Sequence, residues 1–139
     1  MPDDYHVTGL VVKKEARAYL EAGMSQPDSH VAYDRFGSAP IAVTFCDRTG
    51  CTRVFAGSER QIHSIRVGGW KDQNMQLFVA DRLHPHDSLT IKLQELEFRT
   101  ITWGEWKRLY PHTKIYLGDQ VKRFTDQQLR DEKVKKRPW

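Results

Sequence analysis

Apolar side chains recur at every second position in several short stretches: Ile41, Val43 and Phe45; Ile65 and Val67; Met75, Leu77 and Val79; and Leu89, Ile91 and Leu93. The stretches are punctuated by Gly37, Gly50, Gly57, Gly68, Gly69, Pro85 and Asp87, a pattern that predicts half-buried strands joined by turns. The expected fold is mainly β, a β-rich α+β chain. It forms a single compact antiparallel sandwich or a partly open barrel, with one short packed helix and a C-terminal helix. No internal repeat or low-complexity segment interrupts the pattern.

The clearest hairpin runs from Ile41 to Ala56, with Asp47, Arg48, Thr49 and Gly50 as its connection. Placing Cys46 opposite Cys51 sets Val43 against Val54 and Ile41 against Ala56 on one face, leaving Thr44, Arg53 and both cysteines on the other. That register is self-consistent because the aliphatic set falls on a single side. Further on the phase slips, since Leu89, Ile91 and Leu93 are odd and Leu96 and Phe98 even, which predicts a bulge or break at Gln94 or Glu95. Residues 13–22 read two ways, as a helix by propensity ending at Gly23 or as a hairpin turning at Lys13 and Lys14. Two helix starts stand out. Thr102 with Glu105 has capping-box spacing and Ile101 with Trp106 staple spacing, so a helix should run from Trp103 until Pro111 forbids it. Thr125 with Gln128 and Phe124 with Leu129 repeat the device, predicting a second helix from about Asp126 to Lys135.

Composition narrows the class. The 139 residues are 39% hydrophobic and 29% charged, and no apolar run approaches the roughly 18 residues that span a bilayer. At this length one domain with its own core is expected. The formal charge of +4 is unevenly placed: residues 119–139 hold seven bases and four acids, whereas residues 1–118 are nearly neutral. The division predicted is a β-rich domain over 1–118 and a basic helical tail over 119–139. The opening MPDDYHVTGL has two Asp and no apolar core where a secretory signal would have the reverse. The sequence as it stands therefore predicts a cytoplasmic protein, or an extracytoplasmic one if a signal peptide has been removed.

Four stretches taken together, HVAYDRFGSAPIAVTFCDRTGCTRVF, SIRVGGW, LFVADRL and TITWGEWKRLYPHTKIY, carry a resemblance. In content and order they are similar to bacterial proteins of the domain-of-unknown-function 3179 family, over roughly Val7 to Leu117. The Trp-Gly-Glu-Trp followed by Pro-His-Thr is the most distinctive part. The family has no assigned activity, so the resemblance implies a bacterial β-rich domain and no mechanism. Many members look exported. Members often carry a Cys-x-x-Cys pair after the apolar strand, where this chain has Cys46 and Cys51 with four residues between them.

The residues that could carry chemistry are few. Cys46 and Cys51 flank a hairpin turn and read first as two small buried or edge side chains; a disulfide or redox pair is feasible if they oppose each other at a non-hydrogen-bonded position. Two thiolates could equally give half of a zinc or other transition-metal site, with His84 and His86 or His63 supplying the rest, although no cofactor is the expected state. The His84-Pro85-His86 run is expected as solvated histidines on a turn; as a metal site it would need a third ligand from His63, Cys46 or Asp87. Trp103 and Trp106 could stack a ligand but are expected in the core, and Asp34-Arg35 and Asp81-Arg82 read as structural ion pairs, bound to one another or to neighbouring strands. The nucleophile elbow, phosphate-binding loop, dinucleotide fingerprint and zinc-protease motif are all missing from the sequence. The expected function is a non-catalytic binding module for a small ligand, metal or protein partner. The alternative is a metal- or thiol-dependent enzyme or redox module using Cys46 and Cys51 with His84 and His86. A third reading has Lys133, Lys135, Lys136 and Arg137 contacting nucleic acid or another anion, with strong salt dependence. Oligomeric state is left open.

Overall fold

The computed structural model describes residues 1–26 and 28–124, arranged as three open sheets stacked in layers, with no closed barrel among them. Strands β1 (His6–Val12) and β2 (Glu15–Leu20) form an antiparallel hairpin with Val12 opposite Glu15. Residues 13–22 thus turn back as a hairpin. Lys13 (φ 49°) and Lys14 (φ 68°) are both left-handed, the geometry of a two-residue turn matched to strand twist. β10 (Arg99–Thr102) flanks β1, and β11 (Lys114–Tyr116) joins the far edge of β2 as a parallel neighbour.

The central sheet has the order β3 (Val31–Phe36), β4 (Ala39–Cys46), β5 (Cys51–Ala56) and β9 (Gln94–Glu95). Its β4–β5 register places Cys46 opposite Cys51, Thr44 opposite Arg53, Val43 opposite Val54 and Ile41 opposite Ala56, as the alternation requires. The outer sheet is β6 (Arg66–Lys71), β7 (Asn74–Val79) and β8 (Arg82–Pro85), with a bulge between Val67 and Gly69. Its two hairpins again turn on left-handed pairs, Asp72 with Gln73 and Ala80 with Asp81.

Three clusters fill the spaces between layers. Leu10 and Tyr19 of the first sheet pack against Ile41, Val43, Phe45 and Val54. On the other face of the central sheet, Ala42, Cys46 and Phe55 meet Met75, Leu77 and Val79. The outer face of the first sheet, with Val7, Ala18 and Leu20, is covered by Trp106 of α2 (Trp103–Leu109). Thr102 caps α2 by accepting from Glu105 N at 3.3 Å. Trp106 is fully buried and donates from Nε1 to Thr113 Oγ1 at 2.8 Å, so it belongs to the core, as expected. Gly9 makes this possible, since a Cβ there would overlap the indole ring.

Three expectations are corrected. Leu89, Ile91 and Leu93 form no strand. Leu89 is 95% exposed, and Ile91 plugs the core from an irregular segment held by hydrogen bonds among Ser88, Thr90 and His84. The phase slip is a break in the chain after β9. His84 and Pro85 lie within β8, and the turn comes earlier, at Ala80 and Asp81. An unforeseen helix, α1 (Glu59–His63), starts at a full capping box between Ser58 and Gln61. The basic tail beyond residue 124, with its predicted helix and Lys133, Lys135, Lys136 and Arg137, lies outside the described residues. Phe124 docks on the first sheet's cluster, stacking edge-on against Tyr5. Among the described residues no helix is long and apolar enough to cross a membrane.

Candidate functional site

Strand β4 is buried on both faces, yet beyond Ala42 its face toward the outer sheet carries Thr44 and Cys46 rather than large aliphatic residues. Their cross-strand partners on β5, Arg53 and Cys51, extend the polar strip. From the opposite layer the strip is met by His86, which follows β8 and bonds through its backbone N–H to Met75 O at 2.8 Å. His86 Nε2 lies 2.7 Å from Thr44 Oγ1, and Thr44 Oγ1 donates to Arg53 O at 3.2 Å. Arg53 is 7% exposed and bonds through two of its three nitrogens: Nη1 donates to His86 O (2.9 Å) and Ser88 O (2.6 Å), and Nε to Glu95 at 2.7 Å. Burying a guanidinium is tolerated only when its protons are used in this way.

His86 is fully buried, and its Nδ1 has no hydrogen-bond partner. Burial first, and the Arg53 charge second, push its imidazole down to about 4, so the ring is neutral over the physiological range. Beside it, His30 bonds through Nδ1 to Phe45 O at 2.9 Å and meets the Trp70 ring edge-on at 5.1 Å. The Trp70 Nε1 and Thr52 Oγ1 atoms are likewise buried without a partner.

Both cysteines are free. Cys46 is fully buried and Cys51 partly open to solvent. Burial by itself would raise the Cys46 thiol. The Thr49 hydroxyl and the backbone N–H groups of Thr49 and Arg48 at the hairpin turn, with that of Met75 from β7, outweigh it and hold the thiol below its ordinary value. Cys51 moves the other way, raised by burial and then by the Asp87 carboxylate, with Cys46 and Glu95 adding to the effect. The two thiols thus face each other with opposite tuning.

The metal-ligand set is only partly assembled. Cys46 and Cys51 are opposed, but His84 lines a separate pocket with its Nδ1 3.0 Å from Thr90 Oγ1. His63 sits on α1, stacked on Tyr33 and 3.0 Å from Glu59. Among the described residues no three His, Cys, Asp or Glu side chains come together as a metal cage. Of the residues expected in structural ion pairs, Asp34, Arg35 and Asp81 pair with neighbouring elements, Asp34 with Arg17 at 2.9 Å, Arg35 with Glu59 and Asp81 with Arg66 at 4.0 Å, whereas Arg82 meets no carboxylate among the described residues.

A second polar centre went unread in the sequence. A cleft of about 320 Å³ opens between β2, β3 and β11, lined by Arg17, Tyr19, Asp34 and Tyr116. On its floor Tyr19 donates to Asp34 at 2.6 Å, and Arg17 lies over the Phe36 ring. Burial alone would raise the Asp34 carboxyl, but the Tyr19 hydroxyl, the Arg35 N–H and Arg17 outweigh it and hold it below its ordinary value. No local motif announces this centre, because its members come from three strands.

Compared with known proteins, the chain matches no family model, no curated protein and no solved structure.

Proposed function

We propose that the chain is a thiol–disulfide exchange module acting through Cys46 and Cys51, a bacterial domain akin to the domain-of-unknown-function 3179 family. The observation that carries this reading is the direct cross-strand opposition of the two free cysteines, with Cys46 the tuned partner. Residues directly opposed in an antiparallel pair have Cα atoms about 4.5 or 5.5 Å apart, and both distances lie within the disulfide range.

Cys51 is the accessible sulfur. In the oxidised form an incoming substrate thiolate attacks Cys51 Sγ, forming a mixed disulfide and releasing Cys46 as a thiolate. The N–H groups around Cys46 favour that leaving group, and a leaving thiol of low pKa departs faster. A second substrate thiolate then attacks the substrate sulfur of the mixed disulfide. Cys51 leaves and takes up a proton, and the substrate becomes a disulfide by losing two electrons to the protein. A protein or small-molecule disulfide accepts those two electrons in the reverse sequence and regenerates the bridge.

The test is equilibration against reduced and oxidised glutathione, followed by acid quench, alkylation and intact mass. The expected product is an intramolecular bridge, two hydrogens lighter and blocked to alkylation, with Cys51→Ser and Cys46→Ser each abolishing it. Mixed disulfides alone, or no oxidation under fully oxidised glutathione, would overturn the reading.

The binding-module reading is favoured by a different observation, the cleft over Tyr19 and Asp34 with its perturbed ionisable groups. It predicts a ligand whose binding is lost in Tyr116→Ala while cysteine chemistry is untouched.

A further inference from the structure

A pocket of about 230 Å³ lies outside both centres, between the end of α1, the β7–β8 hairpin and the irregular segment after His86. Its lining includes two cations, Arg82 and Lys92, and no carboxylate. This sets it apart from the larger cleft, where Arg17, Arg35 and Lys114 each meet a carboxylate within 4 Å. Among the described residues neither Arg82 nor Lys92 has a carboxylate within that distance.

The polar groups between the two cations are held in place. Ser64 Oγ accepts from Ala80 N at 3.1 Å and donates to Gln61 O at 2.7 Å, tying the helix end to the hairpin turn. His84 is fixed through Nδ1 on Thr90, which in turn bonds Ser88 Oγ at 2.6 Å, so Nε2 is the one polar atom its ring has left. The remaining wall is apolar, formed by Val79 and Leu93. The cavity is smaller than the roughly 300–1,000 Å³ of sites for drug-sized ligands.

We infer that this pocket is a binding site for a small organic carboxylate, its charged end between Arg82 and Lys92 with His84 as a polar contact, and its short aliphatic body against Val79 and Leu93. The site shares no lining residue with the cysteine pair, so it stands or falls apart from the exchange reaction.

The test is an NMR titration of the wild-type chain, following the His84 ring protons, with acetate, propionate, butyrate and inorganic phosphate at constant ionic strength. Expected are saturable shifts, with affinity rising up to about fourfold per added methylene as each is taken out of water. Butyrate should bind tighter than phosphate. The double variant Arg82→Gln/Lys92→Gln, made at exposed positions, should weaken butyrate at least tenfold. Leu93→Ala should keep binding but flatten the dependence on chain length, a readout that general misfolding would not give. Equal affinity for acetate and butyrate, phosphate binding at least as tight as butyrate, no saturable shift, or a double variant that binds like wild type would each overturn the inference.

Discussion

His86 Nε2 and Thr44 Oγ1 meet at 2.7 Å in the dry space between the central and outer sheets, and neither group reaches solvent. The ring is held neutral there, down to about pH 4, against 6.5 in the unfolded chain. Between those values the unfolded chain binds the extra proton and the folded one does not, so stability is full above about pH 6.5 and falls as pH drops toward 4. The slope attributable to one such group is at most about 1.4 kcal/mol per pH unit. Urea denaturation across this window should show the fall, and His86→Asn should flatten it while lowering stability at neutral pH. An identical slope in wild type and variant would remove His86 as its source.

Arg53 organises the same layer from the strand side. Its three contacts hold the carbonyls of His86 and Ser88 and the Glu95 carboxylate. Removing one partner from such a buried set costs about 3–5 kcal/mol, because what remains is left unpaired. Arg53→Met is expected to lose stability on that scale. Arg53→Lys, which keeps the charge but cannot reach the two carbonyls and the Glu95 carboxylate from separate nitrogens, is expected to lose less, though still measurably. The midpoint shift in chemical denaturation decides between these outcomes.

Gly9 and Trp106 depend on one another. The indole occupies the space where a side chain at position 9 would stand. Gly9→Ala should therefore force the ring or strand β1 to move, at a cost of about 1–3 kcal/mol. Trp106→Ala should cost about 3–5 kcal/mol through the cavity it leaves. The double variant should lose less than the sum of the two, since the added methyl then fills part of that cavity.

The two-residue turn between β7 and β8 uses Ala80 at φ 50°, a residue that disfavours the left-handed region, and Asp81 at φ 63°, which tolerates it less well than Gly. Ala80→Asn with Asp81→Gly restores the preferred pair for this turn and should stabilise the protein by about 1 kcal/mol. The Asp81–Arg66 pair lost with it is solvent-exposed. A rise in thermal midpoint checks it.

The β4–β5 hairpin was legible because one aliphatic face admits a single register, and α2 because its capping and staple residues are local. Strand β8 and the segment after it were misread for the same reason in reverse. Leu89, Ile91 and Leu93 keep strand spacing, but only a neighbouring strand makes spacing into structure, and here Ser88 bonds to Thr90 and Thr90 to His84 instead. Helix α1 buries only Ile62, too little to leave a period. The polar strip of Thr44, Cys46, Arg53 and Cys51 was placed on one face correctly. That it is covered by a second sheet, with His86, His30 and Trp70 close by, depends on pairings that no local pattern encodes.

The parallel seam between β11 and β2 has a consequence for how the molecule is made. Residues 114–116 supply the last strand of a sheet whose hairpin lies at residues 6–20, and the indole that covers that hairpin comes from position 106. A chain growing from its amino end therefore carries Val7, Ala18 and Leu20 without their cover, and an open β2 edge, until about a hundred further residues have emerged. Such an edge is a template for pairing with other chains. During synthesis the first hairpin therefore keeps its apolar face and one edge uncovered until the rest of its sheet arrives.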